Sequence, residues 1–152
     1  MIDKEVLVRC LSCELVTDEK GNKGYMPTRA HDEDAGFDLY CPYDVDFVPS
    51  EDKLLLDTYT KVEIPRGHVG LVLPRSSMIH KGLNIVTGVI DAGYTGTIKI
   101  AMTKHSVSYV KIARGERVAQ LVIVPIANVG LMEGKVTSNG ARQDGGFGST
   151  GA

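Results

Sequence analysis

The chain has 152 residues, of which 43% are hydrophobic and 24% are charged. This is the composition of one globular domain, large enough to bury about two-thirds of the surface of its unfolded chain. The formal net charge of −2 argues against the broad basic surface of a nucleic-acid-binding protein, so we expect a few placed groups to meet any phosphate that it binds.

No apolar run approaches the ~18 residues that a membrane-spanning helix needs. The N-terminal residues Met1–Val6 lack the basic and apolar regions of a secretory signal. We therefore expect a cytoplasmic protein with no membrane partner and no nucleic-acid partner.

The three cysteines do not form a disulfide framework. Cys10 and Cys13 have the C-x-x-C spacing of redox and zinc sites, but they lie in an apolar stretch, residues 6–15, that we interpret as a strand. Side chains three residues apart on a strand project to opposite faces, so the two sulfurs would diverge. No second C-x-x-C completes a zinc site. We therefore predict that these two thiols and that of Cys41 are buried or half-buried.

Short apolar or alternating runs, rich in β-branched residues and broken by Gly, Pro and Asp, recur along the chain. They predict strands at Val6–Leu11, Phe37–Tyr40, Val45–Val48, Lys53–Leu56, Thr60–Ile64, Val69–Leu73, Ile98–Met102, Val107–Ile112 and Val118–Pro125. Only Ser76–Lys81 has helical character, and Gly82 is placed to end that helix. The pattern indicates an all-β fold, whether sandwich, barrel or jelly roll.

Apolar runs thin out after residue 126, which divides the chain into a β core, residues 1–126, and a C-terminal arm, residues 127–152. The segment Arg142–Gly151 has four glycines, an arginine, a phenylalanine and two hydroxyls, and it contains nothing that could build a core. Arg142 offers a planar fork of donors for phosphate, and Phe147 offers a flat face for a ring. Such an arm is suited to closing over a nucleotide, although by itself it is also typical of a disordered Gly-rich terminus.

Two further segments have polar residues at strand ends. Gly88–Asp91 predicts a strand that runs into a tight turn, and Asp91 follows two β-branched residues, so we expect a partly desolvated carboxylate suited to a general base. An aspartate that only caps the turn is the alternative. Pro74–Ser77 opens the short helix, where Arg75, two hydroxyls and helix amides would form an anion site. A serine N-cap beside a surface arginine is equally consistent.

Two polar side chains interrupt apolar strands. Gln120 lies in the strand Val118–Pro125, so its amide needs a protein or ligand partner. Asp38 lies among apolar neighbours, whereas the acidic run that precedes it, residues 32–34, is typical of a solvated loop. The sequence contains no P-loop, nucleophile elbow, zincin or EF-hand motif.

Taken in order, five segments resemble the five motifs of the trimeric dUTP pyrophosphatase (dUTPase) family. They are Ala35–Tyr40, Pro74–Ser77, Gly88–Tyr94, Gly115–Leu121 and Arg142–Gly151. The resemblance runs from about residue 26 to the end of the chain. One such motif would be weak evidence, but five in this order are specific.

The resemblance implies a jelly-roll-like β-barrel of the dUTPase type, in a homotrimer whose C-terminal arms are exchanged between subunits. It implies hydrolysis of dUTP to dUMP and pyrophosphate with Mg²⁺ as cofactor. This activity keeps uracil out of DNA and supplies dUMP for thymidylate synthesis. By similarity, Asp91 activates the water that attacks the α-phosphorus, and Arg142 is a second catalytic residue.

The resemblance also implies a substrate-binding set. Its members are Arg75, Ser76, Ser77, Gly88, Val89, Ile90, Asp91, Tyr94, Lys99, Gln120, Arg142, Phe147, Gly148, Ser149 and Thr150. Arg75, Ser76 and Gln120 would hold the phosphate chain. The backbone of residues 88–90 would contact the uracil edge, and Tyr94 would pack near the sugar and disfavour ribose.

The arm would supply the remaining contacts. Phe147 would stack on uracil, while Arg142, Ser149 and Thr150 would bind the outer phosphates. Asp38 would reach the metal only through water, because the three phosphates of the substrate would occupy most of the coordination positions of Mg²⁺.

Two alternative functions stay open at the level of sequence. A dCTP deaminase or bifunctional relative shares the fold and an Arg-Ser-Ser segment, but we find no convincing glutamate for deamination. A nucleotide-gated protein-binding scaffold would use the same shell, and the sequence gives no indication of a regulatory partner.

Overall fold

The computed structural model describes residues 10–105, 107–137, 140, 144 and 146. Within them the chain forms eleven strands and one short helix. In chain order these are β1 (Cys13–Leu15), β2 (Gly36–Tyr40), β3 (Val45–Phe47), β4 (Lys53–Asp57), β5 (Thr60–Val62), β6 (His68–Leu73), α1 (Ser76–His80), β7 (Leu83–Ile85), β8 (Gly88–Asp91), β9 (Lys99–Lys104), β10 (Val110–Ile112) and β11 (Arg117–Pro125). The all-β prediction is therefore confirmed.

The strands pair antiparallel in four sheets. The largest has the order β2-β11-β6-β8, a second has the order β4-β9-β7, and the pairs β1-β5 and β3-β10 complete the fold. Among the described residues no sheet closes into a hydrogen-bonded ring, since β2 and β8 are edge strands. The predicted barrel is thus seen as open sheets packed around one core.

Side chains alternate between buried and exposed along the strands, and the buried ones form that core. In β3, β7 and β10 the first and third side chains are buried and the middle one is exposed, which is the period-2 pattern of a half-buried strand. The hydrophobic effect of burying the inward side chains is the main stabilising contribution. The large side chains that are almost completely buried are Leu39, Phe47, Leu56, Val72, Met78, Leu83, Ile98, Ile100, Met102, Ile112, Val118 and Leu121.

The N-terminal strand differs from the prediction. Residues 6–9 lie outside the described residues, Cys10 and Leu11 are not in a strand, and β1 begins only at Cys13. Cys10 is exposed rather than buried because it precedes the strand that packs on the fold. Burial raises the pKa of the Cys13 thiol and that of the Cys41 thiol to about 11.

The helix that follows β6 agrees better with its prediction than the N-terminal strand does. The predicted helix is α1, which ends at His80, and Gly82 adopts a φ of +75° just beyond it, as a helix-terminating glycine does. The strand β7 was not predicted, because three residues with Asn84 at the centre give too short a pattern. In the described part of the chain no helix is long and apolar enough to cross a membrane.

Residues 126–137 contain neither strand nor helix. The backbone N–H of Ile126 donates to the carbonyl of Gly67 at 2.9 Å, and beyond that point every side chain up to residue 137 is exposed. Leu131 and Met132 are 100% and 95% exposed. The division between core and arm at residue 126 stays a prediction.

Candidate active site

Three adjacent strands bring polar residues together at one end of the largest sheet. In β11, Gln120 lies opposite Asp38 of β2 on one side and opposite Leu73 of β6 on the other. Leu73 is the last residue of β6, so Pro74 and Arg75 leave the sheet at this point. Register alone therefore places the polar residues of three predicted motifs beside one another.

An aspartate holds the arginine of this cluster. The Arg75 Nε donates to Asp38 Oδ1 at 3.0 Å. The two side chains are 24% and 16% exposed, so the pair is partly desolvated. Arg75 is also the N-cap residue of α1, without a side-chain capping bond. The alternative of a serine cap beside a surface arginine is therefore wrong.

Gln120 is fixed by protein groups. Its Nε2 donates to the carbonyl of Pro74 at 2.9 Å, and its amide oxygen lies so close to Gly36 that a Cβ at Gly36 would collide with it. The amide thus has the structural partner that its position in an apolar strand requires. Ser76 and Ser77 are exposed in the first turn of α1, next to this cluster.

The cluster also contains a residue that sequence analysis missed. Arg117 NH1 lies 3.6 Å from Asp38 Oδ2. A β-bulge between Arg117 and Ala119 leaves Val118 without a partner on β2, and this extra residue turns Arg117 and Gln120 to the same face of the sheet. The signal in the sequence was two consecutive apolar residues between two polar ones, which breaks the alternation of a strand.

The predicted base lies on the edge strand β8. Exposure alternates along it, so that Val89 and Asp91 face outward while Ile90 packs against the core. The expectation of a partly desolvated Asp91 is wrong for the single chain, because an outward side chain on an edge strand is left in water. The predicted turn is present: the N–H of Tyr94 donates to the carbonyl of Asp91 at 3.1 Å, and Gly93 has a φ of +90°.

One hydrogen bond holds the ring of Tyr94 beyond this turn. Its hydroxyl donates to the carbonyl of Thr97 at 2.8 Å, and a Cβ at Gly96 would lie 2.6 Å from its Cζ. Thr97 in turn donates from Oγ1 to Asp57 Oδ2 at 2.9 Å. Lys99 is exposed, with its Nζ 3.8 Å from the same oxygen.

The single chain does not bring Asp91 to the phosphate-binding candidates. Gln120 lies opposite Leu73, whereas Asp91 lies opposite Val69, four residues away along β6. The two residues are thus separated by roughly 13 Å along the strand direction and by about 10 Å, or two strand spacings, across the sheet. Five predicted site residues, Arg142, Phe147, Gly148, Ser149 and Thr150, lie outside the described residues.

Comparison with known proteins agrees with the five motifs. A family model for dUTPase matches residues 22–151. The deoxyuridine 5'-triphosphate nucleotidohydrolase of Hydrogenobaculum sp. is 40% identical over 129 residues, which span 83% of this chain and 90% of the relative.

Solved structures give the same result. A mutant Staphylococcus bacteriophage 80alpha dUTPase with dUpNHpp superimposes with a TM-score of 0.83 at 32% identity and covers 95% of this chain and 100% of its own. A mutant dUTPase of phage phi11 of S. aureus, with a structural Mg(II) ion, has a TM-score of 0.74 at 32% identity over 84% of this chain and 98% of its own. The chain therefore belongs to the dUTPase family and is a dUTP diphosphatase.

Proposed function

We propose that this protein hydrolyses dUTP by attack of a water molecule on the α-phosphorus, with Asp91 as the general base. The observation that carries the phosphate-binding half of the proposal is the cluster of Asp38, Arg75 and Gln120, aligned by register and fixed by their contacts. The guanidinium of Arg75 uses its Nε–H on Asp38, and its remaining donors can serve phosphate oxygens.

The reaction needs positioning and charge stabilisation more than covalent catalysis. Asp91 would accept the proton of the attacking water, and pyrophosphate would leave from the opposite side of the α-phosphorus. Arg75 and Gln120 would stabilise the charge that develops on the phosphate oxygens. Ser76 and Ser77, exposed beside them, would donate hydroxyl hydrogen bonds to the same chain of phosphates.

The nucleoside half of the pocket would come from the β8 hairpin. The backbone of residues 88–90 would recognise the uracil edge, because an edge strand has unpaired N–H and C=O groups. Tyr94 would pack near the sugar and exclude a 2′-hydroxyl. Lys99, exposed close to the same hairpin, is a substrate-binding candidate with its charge shared with Asp57.

The residues at the site are compatible with a Mg²⁺ ion whose ligands come mainly from the phosphates of the substrate. Magnesium prefers oxygen ligands and keeps several waters, and both oxygens of Asp38 already have an arginine within 4 Å. Among the described residues no three His, Cys, Asp or Glu side chains form a metal-binding group. Asp38 would therefore contact the ion only through water, and Mg²⁺ would neutralise phosphate charge. The structural Mg(II) ion belongs to the phage phi11 relative.

A homotrimer with shared active sites accounts for the separation of Asp91 from the cluster. Asp91 of one subunit would face the Asp38, Arg75 and Gln120 cluster of another. The C-terminal arm would close over a neighbour's site, with Phe147 on the uracil, Arg142 as a second catalytic residue, and Gly148, Ser149 and Thr150 at the outer phosphates. The exposed apolar side chains of residues 129–136 support docking on a neighbour, because apolar surface of this kind marks an interface.

Release of pyrophosphate tests this function. With Mg²⁺ we expect rapid release from dUTP and little from dCTP, dTTP or UTP, since buried donors and acceptors reject the wrong base edge. Ammonia from dCTP would indicate a deaminase instead, and binding of dUTP without turnover would favour a scaffold. The comparisons favour neither alternative. Prevention of uracil incorporation, supply of dUMP and a cytoplasmic location stay predictions.

A further inference from the structure

We propose that Arg117 is a positioning residue that keeps Arg75 available to the substrate's phosphates by occupying the second oxygen of Asp38. The inference rests on the proposed function and adds a residue to it. It starts from the β-bulge at Val118, without which Arg117 would face away from Asp38.

The two carboxylate oxygens of Asp38 contact different arginines, at different distances. Oδ1 receives the Nε–H of Arg75 at 3.0 Å, and Oδ2 lies 3.6 Å from NH1 of Arg117. A carboxylate with two free oxygens takes up an arginine in a bidentate pair, which ties two donor groups of the guanidinium to one anion. With Arg117 at the second oxygen, Asp38 holds Arg75 by one contact only.

Charge leads to the same conclusion. Asp38 and Arg75 alone form a neutral pair, in which the carboxylate competes with phosphate for the arginine. Adding Arg117 leaves the three residues with a net positive charge, so a polyphosphate is attracted to the cluster. Arg117 is 51% exposed, compared with 24% for Arg75, so its side chain can be changed with little disturbance of the core.

The test compares Arg117→Met with Arg114→Met. Arg114 is exposed three residues earlier, and only its backbone N–H donates to Asp44, so its side chain is a matched control. We expect the Arg117→Met variant to bind the non-hydrolysable analogue dUpNHpp about tenfold to a hundredfold more weakly. Arg114→Met should bind like wild type, and Arg117→Lys should recover part of the loss because it restores the charge.

A double-mutant cycle separates positioning from direct phosphate binding. In an Asp38→Asn background no carboxylate competes for Arg75, so Arg117→Met should weaken dUpNHpp binding much less than it does in the wild-type background, leaving only the effect of one lost positive charge. Additive losses would overturn the proposal, since Arg117 would then contact the phosphates itself. Binding by Arg117→Met equal to that of Arg114→Met would overturn it as well. A wild-type protein that neither binds nor hydrolyses dUTP would instead contradict the proposed function.

Discussion

Asp38 lies directly opposite Gln120 in the antiparallel pair of β2 and β11, so both side chains project from one face of the sheet. On the same face the Asp38 carboxylate holds Arg75, and the Gln120 amide holds the carbonyl of Pro74. Asp38 and Gln120 are thus fixed by strand register, and Arg75 is held beside them by its contact with Asp38. Sites built on strands are positioned more accurately than sites built on loops.

Asp91→Asn should abolish turnover and leave the fold intact. The substitution keeps the shape of the side chain and removes its basicity, and Asp91 is exposed, so little stability should be lost. We expect kcat to fall by about 10²–10⁴-fold, with dUpNHpp binding close to wild type. Steady-state pyrophosphate release and calorimetric binding measure the two quantities. Turnover at the wild-type rate would exclude Asp91 as the base.

Removal of residues 142–152 should spare the fold but cost most of the activity. The described core ends at β11, and its buried side chains come from residues 39–121. Without the arm, water enters the site and the phosphates lose donors, so we expect kcat/KM to fall on the order of 10²-fold. Circular dichroism and thermal unfolding check the fold. An unfolded truncated protein would mean that the arm is structural.

Gly96→Ala should weaken the discrimination between dUTP and UTP. A Cβ at this position would lie 2.6 Å from the Cζ of Tyr94, so the ring must move away from its bond to Thr97. We expect the ratio of kcat/KM for dUTP to that for UTP to fall by about tenfold. Gly134→Ala is the control, because a Cβ there has no atom within 4 Å. An unchanged ratio in the Gly96 variant would exclude this role for Tyr94.

Alkylation should distinguish the three thiols. Cys10 is exposed and Cys41 is buried, and burial raises the Cys41 pKa to about 11. At pH 8 we expect iodoacetamide to modify Cys10 first, Cys13 more slowly and Cys41 only after unfolding. Peptide mass spectrometry measures each rate. Fast modification of Cys41 in the folded protein would contradict its burial.

The same shift has a consequence for stability at alkaline pH. Because the folded-state pKa of Cys41 is raised, its contribution to the free energy of unfolding is complete below about pH 9 and is lost as pH rises towards 11. A Cys41→Ala variant should lack that part of the alkaline loss. Denaturant unfolding of both proteins at pH 8 and pH 11 gives the comparison. Identical losses in the two proteins would contradict the assignment to Cys41.

Much of the fold could be predicted from period-2 patterns with turn residues between them. That reasoning found β2, β6 and β11 within a residue or so, and it found α1 because Gly82 ends it. It missed β7, whose three residues give too little pattern. Of the predicted strand Val6–Leu11, residues 6–9 lie outside the described residues, Cys10 and Leu11 are not in a strand, and β1 begins at Cys13. Closure of the sheets depends on long-range pairing, which local patterns do not encode.

The candidate site was predictable in chemistry but not in arrangement. Arg75 was recognisable as a polar residue at the end of a strand, and Asp38 and Gln120 as polar residues that interrupt apolar strands. The structure brings the three together. Arg117 was missed because a bulge, not the alternation, decides which face it occupies. The predicted desolvation of Asp91 was wrong because the local sequence does not show that β8 is an edge strand.

Mixing two inactive variants tests most directly whether the active site is shared between subunits. Asp91→Asn and Arg75→Met should each be inactive alone, and refolding them together at equal concentration should restore activity. With random assembly, about one quarter of the sites would combine an intact Asp91 with an intact Arg75. Recovery of about a quarter of wild-type turnover is the result we predict. A mixture as inactive as its components would show that Asp91 and Arg75 must come from the same chain.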